Sequence, residues 1–138
     1  MRFVASIVVG ALAIGALFGC GSNSGPLMMQ MPKPLSIAGN YSGSTSDSMA
    51  GAGTLTIDIV QAGMSVSGLW TFTYPHAALA ATSFTGALSG QTLTLNIPAT
   101  SFAPCAYSVN AMVSGKQISG SYSSSTCGNS GTFLVTRP

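Results

Sequence analysis

Few groups in this 138-residue chain could move a proton near neutral pH or hold a metal. There is one histidine, His76, with two aspartates, Asp47 and Asp58, no glutamate, and three cysteines, Cys20, Cys105 and Cys127. Attack by a serine needs a base beside it, and acid–base work needs a tunable pair of groups. His76 follows Pro75 in a connector, Asp58 takes an outward position on an alternating strand, and Asp47 falls in a Ser/Thr/Gly-rich segment that reads as a turn. No Gly-x-Ser-x-Gly elbow presents a nucleophile. The chain therefore reads as non-catalytic, and this donor set is poor for a metal and implies no cofactor. Met28, Met29 and Met31 lie close together, as soft-metal ligands would, but without His or Cys nearby they read as flexible apolar residues. Charged residues make up 4% of the chain, and beyond residue 20 the cations are Lys33, Lys116 and Arg137 alone. That is no basic field, which argues against a nucleic-acid partner.

The residues better suited to binding are aromatic. Tyr41, Met64, Trp70, Phe72, Phe84, Tyr107, Tyr122 and Phe133 all take inward positions when the strands below are drawn. Trp70, Phe72, Tyr74 and His76 run along one face towards the connector 75–81. With Tyr41 they form a candidate site for a small apolar ligand. The competing reading is that the same rings simply fill the core.

Strands must position these rings. Leu55, Ile57 and Ile59 alternate with Thr54, Thr56 and Asp58, while Leu93, Leu95 and Ile97 alternate with Thr92, Thr94 and Asn96. Period-two alternation marks strands with one face in a core and the other in water. Eight strands are expected near residues 37–45, 53–61, 64–74, 82–89, 91–98, 106–114, 117–124 and 131–136, joined mostly by short Gly/Ser/Asn-rich connectors. A displacement of 52 residues lays Leu55, Ile57, Ile59, Gly63, Val66, Gly68 and Trp70 on Tyr107, Val109, Ala111, Gly115, Ile118, Gly120 and Tyr122 without a gap. Each copy reads as a hairpin. The pairs Gly39/Tyr41, Gly68/Trp70 and Gly120/Tyr122 suit a sheet that bends at glycine while a ring covers the exposed backbone. The expected fold is all-β, an eight-stranded antiparallel up-and-down meander barrel, with a β-sandwich as the alternative.

Residues 1–19 have the layout of an export signal, with Arg2 followed by an apolar run from Phe3 to Phe18 and a polar turn after it. The run falls slightly short of the ~20 residues a membrane-spanning helix needs. Leu17-Phe18-Gly19-Cys20 resembles the bacterial lipobox, although Phe18 is bulkier than the residue usual there. The resemblance implies cleavage before Cys20, lipid on that cysteine, and attachment to a cell-envelope membrane. Gly21 in place of aspartate leans towards the outer membrane in the Gram-negative proteins of this kind. Residues 20–36, rich in Gly, Ser and Pro, read as a flexible linker, leaving 37–138 as the domain. Lipidation of Cys20 would leave Cys105 and Cys127 as a pair in an oxidising compartment. If the second hairpin turns at Gly115-Lys116, those two cysteines lie within one residue of direct opposition at its open end.

The meander is similar to the avidin and lipocalin group of barrels. Gly39-Asn40-Tyr41 stands where lipocalins often have Gly-x-Trp, and Ser67-Gly68-Leu69-Trp70 is similar to a glycine–aromatic step of avidins. The resemblance implies ligand binding in the barrel mouth. No residue set carries over a biotin site. The function expected is a non-catalytic envelope lipoprotein barrel binding a small apolar ligand. The alternative is a structural or protein-interaction module with a filled barrel.

Overall fold

A computed structural model describes Lys33, residues 35–78 and residues 81–138; the expected export signal, Cys20 and most of the expected linker lie outside the described residues. Nine strands follow in order: β1 Gly39–Asp47, β2 Gly51–Ala62, β3 Ser65–Tyr74, β4 Ala77–Ala78, β5 Thr82–Ser89, β6 Thr92–Ile97, β7 Tyr107–Ser114, β8 Gln117–Ser123 and β9 Ser130–Thr136. Eight of them form a closed, all-antiparallel up-and-down barrel. Each pairs with the next along the chain, and β9 returns to pair with β1. The two-residue β4 pairs only with the end of β3 and adds nothing to the ring.

The two hairpins of the repeat have equivalent registers. Ile57 faces Trp70 and Ile59 faces Gly68, while Val109 faces Tyr122 and Ala111 faces Gly120. Alternation places Ser, Thr and Asn outside and Leu, Ile, Val and aromatic residues inside. That is the reverse of a barrel built to face lipid with its wall. Met64 departs from the expected inward position. It sits in the β2–β3 turn and is 61% exposed, because the strand begins one residue later.

The rings that cover glycine come from neighbouring strands. A Cβ on Gly68 would meet the Phe84 ring at 3.0 Å and collide with the Asp58 carbonyl, and Phe84 is the direct cross-strand partner of Gly68. Tyr122 stands over its partner Gly131 in the same way. Glycine here lets one backbone approach the next while the ring fills the missing volume, and this curves the sheet.

The barrel has a tight end and a loop end. Three two-residue turns, Gly63-Met64, Gly90-Gln91 and Gly115-Lys116, close the first. Each opens on a glycine at φ of 60–63°, the left-handed value required at the first position of such a hairpin. The incoming chain seals this end. Ile37 is fully buried, its N–H donates to Gln61 Oε1 at 2.7 Å, and Gln61 Nε2 donates to the carbonyls of Leu35 and Gly63. The other end carries the connectors 48–50, 75–81, 98–106 and 124–129.

Candidate functional site at the open end of the barrel

The rings of β3 collect under these connectors. Trp70 lies edge-on to Phe133 (centroids 5.2 Å apart) and to Phe72 (5.4 Å). Phe72 in turn meets Tyr122 at 5.1 Å and stacks on Tyr74 at 5.7 Å. Edge-to-face contact of this kind adds to what burial of the rings already contributes. Tyr107, half-buried at the start of β7, closes the cluster on Tyr122 at 5.5 Å.

A buried carboxylate stands beside the rings. Asp47 is the last residue of β1 and lies on the inward register with Thr45, so it is 6% exposed rather than out in a turn. Its Oδ1 accepts the N–H groups of Met49 (2.8 Å) and Ala50 (3.0 Å), which also fixes the 48–50 turn. Its Oδ2 accepts the Tyr122 hydroxyl (2.9 Å) and Asn129 Nδ2 (2.8 Å). Burial alone would raise the Asp47 pKa. The hydrogen bonds from Ala50, Met49, Tyr122 and Asn129 outweigh it and hold the carboxyl below its ordinary value. Tyr122 is shifted well upward, chiefly by burial and further by its bonds to Tyr74 and Asp47, so it stays a neutral donor. Tyr74 and Thr45 complete the network, each with an oxygen 3.3 Å from the Tyr122 hydroxyl. Asn129 Nδ2 also donates to the Tyr107 hydroxyl at 3.2 Å.

Under the 98–106 connector lies a partly open apolar cavity of about 50 Å³. Trp70, Phe72 and Tyr107 form its wall, and Ala103, Pro104 and Cys105 cover it. The indole N–H of Trp70, a residue 2% exposed, finds no acceptor among the described residues. The covering connector folds on itself, Thr100 N–H donating to the Ala103 carbonyl at 2.8 Å and Ala103 N–H to Thr100 Oγ1 at 3.0 Å. Phe102 at its tip is 86% exposed. A disulfide from Cys105 to Cys127, with Cα atoms 5.4 Å apart, ties the cover to the 124–129 connector. Extending the β7–β8 register brings the two cysteines within one residue of opposition.

Of the expected ligand residues, the structure brings Trp70, Phe72 and Tyr74 together. Tyr41 is in the same register row as Ile57 and Trp70, but its ring packs under Arg137 (5.7 Å) and it does not line the cavity. His76 lies in an exposed turn, because the inward run ends at Tyr74. The connector 98–106 is longer than 75–81, part of which pairs as β4. From the sequence Asp47 reads as a turn residue, and Asn129 was missed. The signal for Asp47 was its place two residues beyond Thr45 on the inward register. Among the described residues no group of three or more His, Cys, Asp or Glu could hold a metal ion.

The fold is that of known small β-barrels. The chain is similar to a redesigned β-barrel, b11L5F_LGL, with a TM-score of 0.60, 11% identity and coverage of 74% of this chain and 91% of that one. It is also similar to a redesigned β-barrel, mFAP0, bound to DFHBI, with a TM-score of 0.57, 15% identity and coverage of 73% and 98%. No family profile matches the sequence, and no curated protein does.

Proposed function

We propose that this chain is a non-catalytic lipoprotein of the bacterial cell envelope, lipid-anchored at Cys20, whose barrel binds a small apolar molecule at its loop end. The lipobox-like sequence and the preceding apolar run support the anchor, and outer-membrane attachment is the preferred location. One observation carries the binding role. Trp70, whose buried indole N–H finds no acceptor among the described residues, lines a partly open apolar cavity, so a compact apolar body bearing one hydrogen-bond acceptor suits the site. A similar barrel bound to DFHBI supports the use of this architecture for small molecules. The 50 Å³ volume admits only a few heavy atoms as it stands, so a larger ligand requires the 98–106 cover to swing on its disulfide.

Trp70 is the only tryptophan, so its fluorescence reports on the site directly. Titrating the protein with cyclohexanone should give a saturable change in Trp70 emission, and cyclohexane, which lacks the acceptor, should give a weaker one. No saturable response to either compound up to its solubility limit rejects the ligand reading. A second reading, a filled barrel serving as an interaction module, is favoured by the cavity lying well below the ~300 Å³ of ordinary ligand pockets. It predicts a protein partner captured by cross-linking on intact cells.

A further inference from the structure

The described cations are all at one end of the barrel. Lys33 precedes the first strand, Lys116 lies in the β7–β8 turn, and Arg137 follows β9, so all three surround the tight end. Lys33 and Lys116 are exposed. Arg137 donates through Nη1 to the Ala38 carbonyl at 2.7 Å and contributes its charge from a fixed position. At the loop end, by contrast, no lysine or arginine occurs in any connector, and its carboxylate, Asp47, is buried.

The same tight end presents apolar surface. Leu35, Met64 and Leu88 line a half-open groove of about 420 Å³ with Lys33 at its rim. Chain connectivity supplies an independent observation. The described chain begins at Lys33 and enters the barrel here through Ile37, pinned by Gln61, so the stretch that leads back to Cys20 joins this end.

We infer that the tight end is a docking face for an anionic phospholipid surface, with Lys33 and Lys116 on the headgroups and the Leu35–Met64 groove against the lipid interface. This takes its setting from the lipid anchor proposed above. Basic residues beside an apolar contact attract anionic lipid over about a Debye length, and a tether raises the local concentration of the surface they meet. Docking turns the barrel's mouth, with its cavity and cover, away from the membrane.

Two exposed methionines at opposite ends make this measurable without a label. Met64 is at the tight end (61% exposed) and Met49 at the loop end (74% exposed). The full lipid-bearing protein is placed on vesicles of equal parts phosphatidylglycerol and phosphatidylcholine, or of phosphatidylcholine alone, and oxidised with hydrogen peroxide. Mass spectrometry then gives the rate at each methionine. Met64 should be protected several-fold relative to Met49 on the anionic vesicles, and much less on the neutral ones. Raising salt from about 0.05 M to about 0.5 M should remove the difference. The double substitution Lys33→Gln and Lys116→Gln should remove it too, while the protein still floats with neutral vesicles. Equal rates at Met64 and Met49 on anionic vesicles, or protection of Met49 instead, overturn the docking face. Failure to float with neutral vesicles overturns the anchor, a separate result.

Discussion

At the tight end of the barrel Ile37, Leu93, Val113, Ile118 and Val135 are almost wholly buried, and the turns that join their strands are two residues long. At the loop end the interior holds Phe72, Tyr74, Tyr107 and Tyr122 around a carboxylate, and a disulfide ties two of its longer connectors together. The first end is held mainly by aliphatic packing, with Gln61 pairing the entering segment. The second is held by hydrogen bonds whose geometry must be met all at once. Buried polar groups of this kind stabilise when every one is satisfied and cost heavily when one is not. The difference shows where a fold of this size keeps its stability and where it leaves a small cavity. The packed end sets the barrel, and the polar end shapes a mouth.

Cutting into the packed end should therefore do most damage. Leu93→Ala, at a fully buried site, should cost ~3–4 kcal/mol in urea unfolding. Tyr107→Ala, at a half-buried site of the mouth, should cost less than half of that. Equal losses at the two positions would break the comparison.

Removing the disulfide ranks next. Cys105→Ala with Cys127→Ala should lower stability by ~3 kcal/mol on the chain-entropy account for residues 22 apart. The loss should be visible as faster amide exchange in 98–106 and 124–129, while the turns at 63–64, 90–91 and 115–116 keep their relative protection. Uniform loosening at both ends would mean that the bridge braces the whole barrel and not its mouth.

The polar end also carries a pH signature. The folded Asp47 carboxyl has a lowered pKa, so its stabilisation is complete above the unfolded value of ~3.9 and fades as pH falls through the folded value. Asp47→Asn should cost ~2 kcal/mol at neutral pH, the order expected for charge-assisted hydrogen bonds. The gap between native protein and variant should close on acidification below about pH 4. A gap that stays constant with pH would show that the carboxylate's charge contributes nothing.

Period-two alternation made the walls of this barrel legible because each strand has one wet and one dry face. Eight strands and their order followed, and the repeat fixed the register on which Cys105 and Cys127 meet. The mouth was less legible for a physical reason. Alternation says that Tyr74 points inward and nothing about where the strand stops, so His76 was carried along a face that ends two residues earlier. Asp47 was hidden by composition: a Ser/Thr/Gly-rich surround reads as a turn, and only closure of β9 onto β1 brings Asn129 to its carboxylate. The glycine–aromatic steps pointed correctly to curvature. The covering rings nevertheless come from the adjacent strand, a relation that sequence spacing along one strand cannot display.

The smallest expected effect tests the seam where the chain enters. Gln61 takes the last inward position of β2, and its amide serves both sides of the entering segment, accepting from Ile37 N–H and donating to Leu35 and Gly63. Gln61→Ala would strand the Ile37 N–H, but the Gln61 side chain is only half-buried, so water can replace part of what is lost. The cost should be about 1 kcal/mol, the usual net worth of one such hydrogen bond. It should fall on residues 35–38 and leave the unfolding of the barrel nearly unchanged. Exchange of the Ile37 amide would then quicken by about five-fold, the factor that about 1 kcal/mol represents, with Leu93 and Ile118 unaffected. If the whole barrel loses stability in step with Ile37, the entering segment is an integral part of the packed end. If Ile37 alone responds, the seam is a local clasp that fixes where the entering segment meets the barrel, and its opening frees that segment without disturbing the mouth.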